Sequence, residues 1–298
     1  MQVLQVNDIS KHYGPIKALD GLNLTVDSGQ VLGILGPNGS GKTTTLGVIL
    51  GILKPQRGNF TWFENRYGND HKLRIGSILE TPNFFPYLNA DDNLDIVRQI
   101  KKVPQQDFDE LLELVKLRAR RKSAFKTYSL GMKQRLAIAA TLIGDPEVVI
   151  FDEPTNGLDP EGIAEVRNTL QEIANRGKTV IMASHILDEV EKICSHVAIL
   201  KRGKLLATGP VGSILSNDIT LEIRSSDLQR LREVLSQNPS INSIENKLDY
   251  LECLVEDSLD IADLNASLVQ NGIKINHLVS RKRKLEEEFL EITSKQNN

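Results

Sequence analysis

The chain has 298 residues, 40% of them hydrophobic and 25% charged, with a formal net charge of −3. This is ordinary usage for a soluble globular protein and carries no strong nucleic-acid field. Two cysteines far apart, Cys194 and Cys253, rule out a disulfide framework and fit a reducing compartment. The start Met1-Gln2-Val3-Leu4-Gln5 lacks the features of a secretion signal. No apolar run approaches the roughly 18 residues of a spanning helix, so action at a membrane would need a partner that crosses it.

In chain order, Gln2–Val6 and Leu22–Val26 read as short strands, with turns at Tyr13-Gly14-Pro15 and Ser28-Gly29. Val31–Leu35 is an apolar strand-like run, and Thr43–Leu53 is apolar at helical spacing. Between them stands Gly36-Pro37-Asn38-Gly39-Ser40-Gly41-Lys42-Thr43-Thr44, the pattern G-x-x-x-x-G-K-[ST]. Its three glycines let the backbone turn tightly and aim N–H groups at anionic oxygens, and the following helix N-terminus favours phosphate. The segment therefore predicts a nucleoside triphosphate site, with Lys42 on the β- and γ-phosphates and the Thr43 hydroxyl on Mg²⁺.

Further strands are expected at 59–63 and 73–80, and helical spacing dominates 92–144. Val148–Phe151 is a continuous apolar run, as a buried parallel strand requires, and it delivers Asp152 and Glu153. Asp152 is expected in the Mg²⁺ shell, and Glu153 is expected near the γ-phosphate as general base for water. A helix follows Asp159-Pro160, then strand Thr179–Ala183, a helix from Ile186 and strand Val197–Leu200. Alternating strands and helices around this loop predict a parallel α/β core. From residue 216 onward there are 10 Lys+Arg and 15 Asp+Glu, a net −5, and the remainder is +2. This tail reads as strand 219–223, helix 226–236, strand 250–255, helix 260–270, strand 275–279 and helix 285–293. Those segments predict a small α+β domain.

Tyr128-Ser129-Leu130-Gly131-Met132-Lys133-Gln134-Arg135, followed by helix Leu136–Ile143, resembles the LSGGQ signature of ATP-binding cassette (ABC) proteins. Asn156-Gly157-Leu158-Asp159 resembles the D-loop, and Ser184-His185 resembles the H-loop. Tyr13 stands where the family places an aromatic that stacks on adenine. The resemblance spans about residues 2–215, with its elements in the family's order. It implies an α/β P-loop NTPase cassette with a parallel core sheet, an antiparallel β subdomain and a helical subdomain at about 81–144. Domain 1–215 would carry the cassette, and 216–298 an accessory domain. The implied chemistry is hydrolysis of ATP with Mg²⁺, His185 contacting the γ-phosphate. Ser129 and Gly131 would bind the phosphate held by a second cassette, in a homodimer or heterodimer. The further partner would be a transmembrane permease, energised from the cytoplasmic face, and no nucleic acid is expected. The resemblance suggests export over import. The alternative is a soluble ABC ATPase acting on ribosomes or DNA, although such relatives usually carry two cassettes or a long coiled-coil insertion.

The chain departs from the family pattern at Leu130, usually Gly, and at Met132, usually Gln. Glu80 occupies the place of the Q-loop glutamine, where a carboxylate can also ligate Mg²⁺. Glu80 together with this signature is similar to the bacitracin and lantibiotic self-protection exporters, while a neutral replacement stays open. Three other segments have two readings each. The basic run 116–126 could meet a membrane or partner, or be a solvated helix face. Phe84-Phe85-Pro86-Tyr87 could contact a membrane subunit or pack in the core. Arg281-Lys282-Arg283-Lys284 reads as a charge-paired surface rather than a nucleic-acid site.

Overall fold

A computed structural model describes residues 1–79, 82–214, 219–256, 258–282 and 285–294. The chain forms two compact units, one comprising Met1–Val211 and the chain end from Ile292, the other Gly212–Glu291.

The first unit opens with β1 (Gln2–Tyr13) and β2 (Ile16–Asp27), followed by β3 (Val31–Leu35), α1 (Lys42–Ile49) and β4 (Arg57–Trp62). β1, β2 and β4 make an antiparallel sheet in the order β2-β1-β4. β1 runs well past the expected end at Val6. The register shifts between Val6 and Ile9, and Asp8 takes a left-handed φ of 51°, so a bulge carries the strand through the polar pair Asn7-Asp8.

Next come β5 (Ile75–Ile78), α2 (Ala90–Ile100), α3 (Asp109–Leu114), α4 (Leu130–Thr141) and β6 (Val148–Asp152). Then follow α5 (Pro160–Asn175), β7 (Thr179–Ser184), α6 (Leu187–Ile193), β8 (His196–Lys201) and β9 (Lys204–Pro210), after which the short α7 (Val211–Ile214) begins at the last residue of this stretch and continues into the second unit. The core sheet has the order β5-β6-β7-β3-β8-β9. It is parallel from β5 to β8, and β9 returns antiparallel along β8, so the sheet is mixed rather than wholly parallel. β3, β6 and β7 are buried at every position, which is why apolar residues fill them up to the polar ends Asp152, Thr179 and Ser184. The strand expected at 73–80 shortens, because Gly68–Arg74 coils as a 3₁₀ turn and leaves Leu73 61% exposed.

In the helical part, cations of the basic run meet carboxylates of their own chain. Arg121 binds Asp91 at the start of α2 through two nitrogens, at 3.0 and 2.7 Å, and also pairs with Asp109 on α3. Lys122 adds a bond to Asp91 at 2.9 Å. Arg118 likewise pairs with Asp109 at 3.0 Å, while the Lys122 side chain stays 77% exposed, so part of the run is charge-paired and still solvated. Burial works to raise the Asp91 carboxyl, but the bonds from Arg121 and Lys122 outweigh it and hold it below its ordinary value of 3.8. A depressed carboxyl contributes stability above that ordinary value and loses it as pH falls through the folded value. Arg121→Ala is therefore expected to destabilise by about 1–3 kcal/mol at neutral pH. In urea titrations the gap should narrow below pH 3.8. The aromatic run divides. The Phe84 ring lies 5.2 Å from that of Phe125, while Phe85 and Tyr87 are 58% and 78% exposed.

The second unit contains β10 (Ile219–Ser225), α8 (Leu228–Leu235), β11 (Ile241–Asn246), β12 (Leu251–Val255), α9 (Ile261–Gln270) and β13 (Ile275–Lys282). α10 (Leu285–Ser294) closes the described chain. The antiparallel order β11-β12-β10-β13 makes this a split βαββαβ arrangement. Alternating Leu221, Ile223, Leu251, Cys253 and Val255 join Leu231, Leu235, Leu264 and Leu268 in one core. β11 is absent from the sequence expectation because, as an edge strand, it holds two apolar residues among polar ones. Arg281 bonds Glu222 at 3.2 Å and Glu252 at 3.3 Å, and it also pairs with Glu287. Arg283, Lys284 and the Lys282 side chain lie outside what is described.

Cys194 and Cys253 are free and buried, and burial pushes each thiol up to about 12. Among the described residues, no helix is long and apolar enough to cross a membrane.

Candidate functional site

β3 ends at Leu35, and the loop Gly36–Gly41 leads straight onto the N-terminus of α1. Gly41 takes φ 111°, and a Cβ there would stand 2.5 Å from the Ala18 carbonyl. At Gly36 a Cβ would come within 2.3 Å of both Leu200 O and Ser40 Oγ. The loop can close onto its neighbours only with glycine at these points. Its buried Ser40 hydroxyl has no hydrogen-bond partner among the described residues. Lys42, 6% exposed, turns back over the loop and donates to Gly36 O at 2.8 Å and Pro37 O at 3.5 Å.

β6 and β7 are parallel neighbours, and their C-terminal ends bring the acids and the histidine together. The Thr43 hydroxyl at the head of α1 donates to Asp152 Oδ2 at 2.7 Å. The next residue, Glu153, lies at φ 50°, a left-handed turn that costs a non-glycine residue about 1 kcal/mol. Its amide donates to Ala183 O at 2.9 Å, which fixes the turn against β7. One carboxylate oxygen accepts from His185 Nδ1 at 2.8 Å and from the His185 amide at 3.3 Å. Because a carboxylate only accepts, Nδ1 carries the proton. The other oxygen lies 3.5 Å from Lys42 Nζ.

These groups surround a cleft of about 510 Å³ that takes in Tyr13, Asn38–Thr44, Glu153 and His185. Tyr13, 47% exposed, ends β1 opposite Ile16, and Lys11 Nζ sits 5.4 Å from its ring centre. The structure thus gathers most of the residues expected from sequence. It adds Ile16, Ala18 and Asn156, which the sequence reading did not assign to the site. Ile16 could have been found from its place beside the Tyr13-Gly14-Pro15 turn.

Ser129 and Gly131 are not among the described residues lining this cleft. Ser129 caps α4, its hydroxyl accepting from the Met132 amide at 3.2 Å. Leu130 is 47% exposed, and its Cδ2 lies 3.5 Å from where a Cβ on Gly157 would stand. Ser129→Ala is expected to cost about 1 kcal/mol through loss of the cap, measurable by urea unfolding. Glu80 lies outside the described residues, just past the end of β5 at Ile78.

Residues 19–156 match the family model for the ABC transporter. The chain is 38% identical over 296 residues to the bacitracin transport ATP-binding protein BcrA of Bacillus licheniformis, covering 97% of each. It belongs to the ATP-binding proteins of ABC transporters. It is also 38% identical to the lantibiotic transport ATP-binding protein SrtF of Streptococcus pyogenes, over 68% of this chain and 89% of that one. A dimeric cassette, MJ0796, solved with ADP and Pi in a post-hydrolysis state, superposes with a TM-score of 0.61 at 25% identity. The match covers 70% of this chain and 98% of that one. This ABC protein is an ATP-binding, ATP-hydrolysing subunit with the P-loop cassette fold.

Proposed function

We propose that this ABC ATPase energises export of a peptide antibiotic through a separate transmembrane permease, working as a peripheral protein at the cytoplasmic membrane face. The observation that carries the reading is the near-complete span shared with a bacitracin transport ATP-binding protein. The same span argues against a soluble ATPase acting on ribosomes or DNA.

In this reading the N–H groups of Gly36, Asn38, Gly39, Ser40, Gly41, Lys42, Thr43 and Thr44 cradle the ATP phosphates that the glycine geometry leaves room for, while Pro37, which has no N–H, fixes the backbone of the loop. Lys42 moves from its carbonyls to the β- and γ-phosphates, and Tyr13 stacks on adenine. The Thr43 hydroxyl and the Asp152 carboxylate are hard oxygen donors 2.7 Å apart, a set that fits Mg²⁺, and Glu80 would add a third. When bound, Mg²⁺ supplies charge neutralisation at the β- and γ-oxygens. Glu153 accepts a proton from the attacking water, and His185 orients that carboxylate through its Nδ1 bond. Ser129 and Gly131 open α4, so their dipole-aligned end suits the phosphate held by a second cassette. One copy of this chain therefore completes its site by pairing.

The test is bacitracin resistance in a sensitive bacterium expressing the chain with the permease encoded beside its gene. Resistance should rise with the wild-type chain and vanish with Glu153→Gln. Resistance that survives Glu153→Gln would sink the energising role. Absence of bacitracin resistance alongside intact ATPase activity would exclude that substrate.

A further inference from the structure

We propose that a cavity at the start of β5 binds a ligand carrying a phosphate or pyrophosphate group on an apolar body. Because β5 and β6 run parallel to β3, their first residues lie at the end of the sheet opposite the P-loop. The cavity holds about 640 Å³ and is not part of the nucleotide cleft.

Its charge is one-sided. Arg66, Lys72, Arg74, Lys101 and Lys102 line it, with Asp70 as the carboxylate in the wall. Arg74 has Glu147 at 3.9 Å and lies over the Tyr67 ring, whose hydroxyl donates to the same Glu147 at 2.7 Å. Among the described residues, Arg66, Lys72, Lys101 and Lys102 have no carboxylate partner. The Lys101 ammonium rests on neutral carbonyls at the end of α4, Thr141 O at 3.1 Å and Ile143 O at 2.9 Å. Burial pushes it down to about 8, the mark of a cation short of compensating charge. Lys102 follows at a left-handed φ of 56°, and this turn lets successive lysines border one cavity.

A basic patch on a convex surface is solvated and screened. Here the cations share a concave wall, so their fields add over one volume that an anion can enter. Multivalent oxyanions suit several converging N–H donors. Val103 and Ile143 supply apolar wall, which calls for a ligand with an uncharged body beside its anionic group. That chemistry occurs both in soluble phosphorylated metabolites and in phospholipid headgroups.

The experiment uses the full chain carrying Lys42→Ala, so that the P-loop does not compete for the probes. Inorganic pyrophosphate is titrated calorimetrically. Vesicles of phosphatidylglycerol, against phosphatidylcholine, are tested by co-sedimentation. We expect at least one anionic probe to bind, and Lys72→Glu with Lys102→Glu to weaken it by about tenfold or more. Both lysines are exposed, so the substitutions should leave folding intact, checked by ATPase activity in the chain with native Lys42. Lys274→Glu, an exposed lysine of the other unit, should change nothing. Pyrophosphate binding without vesicle binding assigns a soluble ligand, and charge-reversal-sensitive binding to phosphatidylglycerol vesicles assigns a lipid headgroup. Binding of neither probe, or binding indifferent to Lys72→Glu with Lys102→Glu, overturns the proposal.

Discussion

Glu153→Gln is expected to lower ATP turnover by about 10²–10⁴-fold while leaving nucleotide binding in place. The amide keeps the size of the carboxylate and can still accept from His185 Nδ1, which now bonds at 2.8 Å. What disappears is the proton acceptor and the negative charge 3.5 Å from Lys42 Nζ. Losing that charge also frees Lys42 for phosphate, so ATP affinity should hold or rise. With hydrolysis slowed, the ATP-bound pair of cassettes should accumulate and appear as a dimer in gel filtration with MgATP. Turnover within a few-fold of wild type would rule out Glu153 as the base. A variant that stays monomeric in MgATP would contradict the pairing of sites.

Lys42→Ala should weaken MgATP binding by about 10–150-fold, the span expected for a charge-assisted contact worth about 1.5–3 kcal/mol. Lys42 is 6% exposed and held by two loop carbonyls, so the wild-type chain does not have to order it from solution before phosphate arrives. Removing the ammonium also strips a partner from Gly36 O and from Glu153. The clearest reading is thermal. At about 100 times its dissociation constant, a ligand stabilises the native state by about 2.7 kcal/mol. MgATP at that level should raise the wild-type midpoint and move that of the variant by about half as much or less. Equal shifts would remove Lys42 from the binding contact.

Much of the fold was legible where chemistry and burial sit on contiguous residues. Val31–Leu35, Val148–Phe151 and Val180–Ala183 are continuous runs without a polar side chain because both faces of those strands are covered. The phosphate loop is likewise one continuous peptide, so its strand and helix could be read on either side. Elements with little to bury escaped. β9 is half-exposed along its length, and β11 is a polar edge that only its pairing with β12 makes a strand. The continuation of β1 hides behind a bulge at Asp8. In the site, the types of residue were readable but their partnerships were not. Nothing local couples Lys42 to Glu153, more than a hundred positions away, or Arg121 to Asp91 and Asp109. The basic cavity joins cations from 66–74 and 101–102, and neither stretch is conspicuous alone.

The two buried cysteines have a practical consequence for watching this protein work. With both thiols near 12, almost no thiolate exists at neutral pH, and burial bars an alkylating reagent from either sulfur. For maleimide chemistry the native chain therefore behaves as if cysteine-free. Leu130→Cys, at an exposed position in the signature turn, would be its single reactive thiol. The rate at which a small maleimide labels that thiol would follow two cassettes closing over the signature turn and reopening, with no need to rebuild either core around a replaced sulfur.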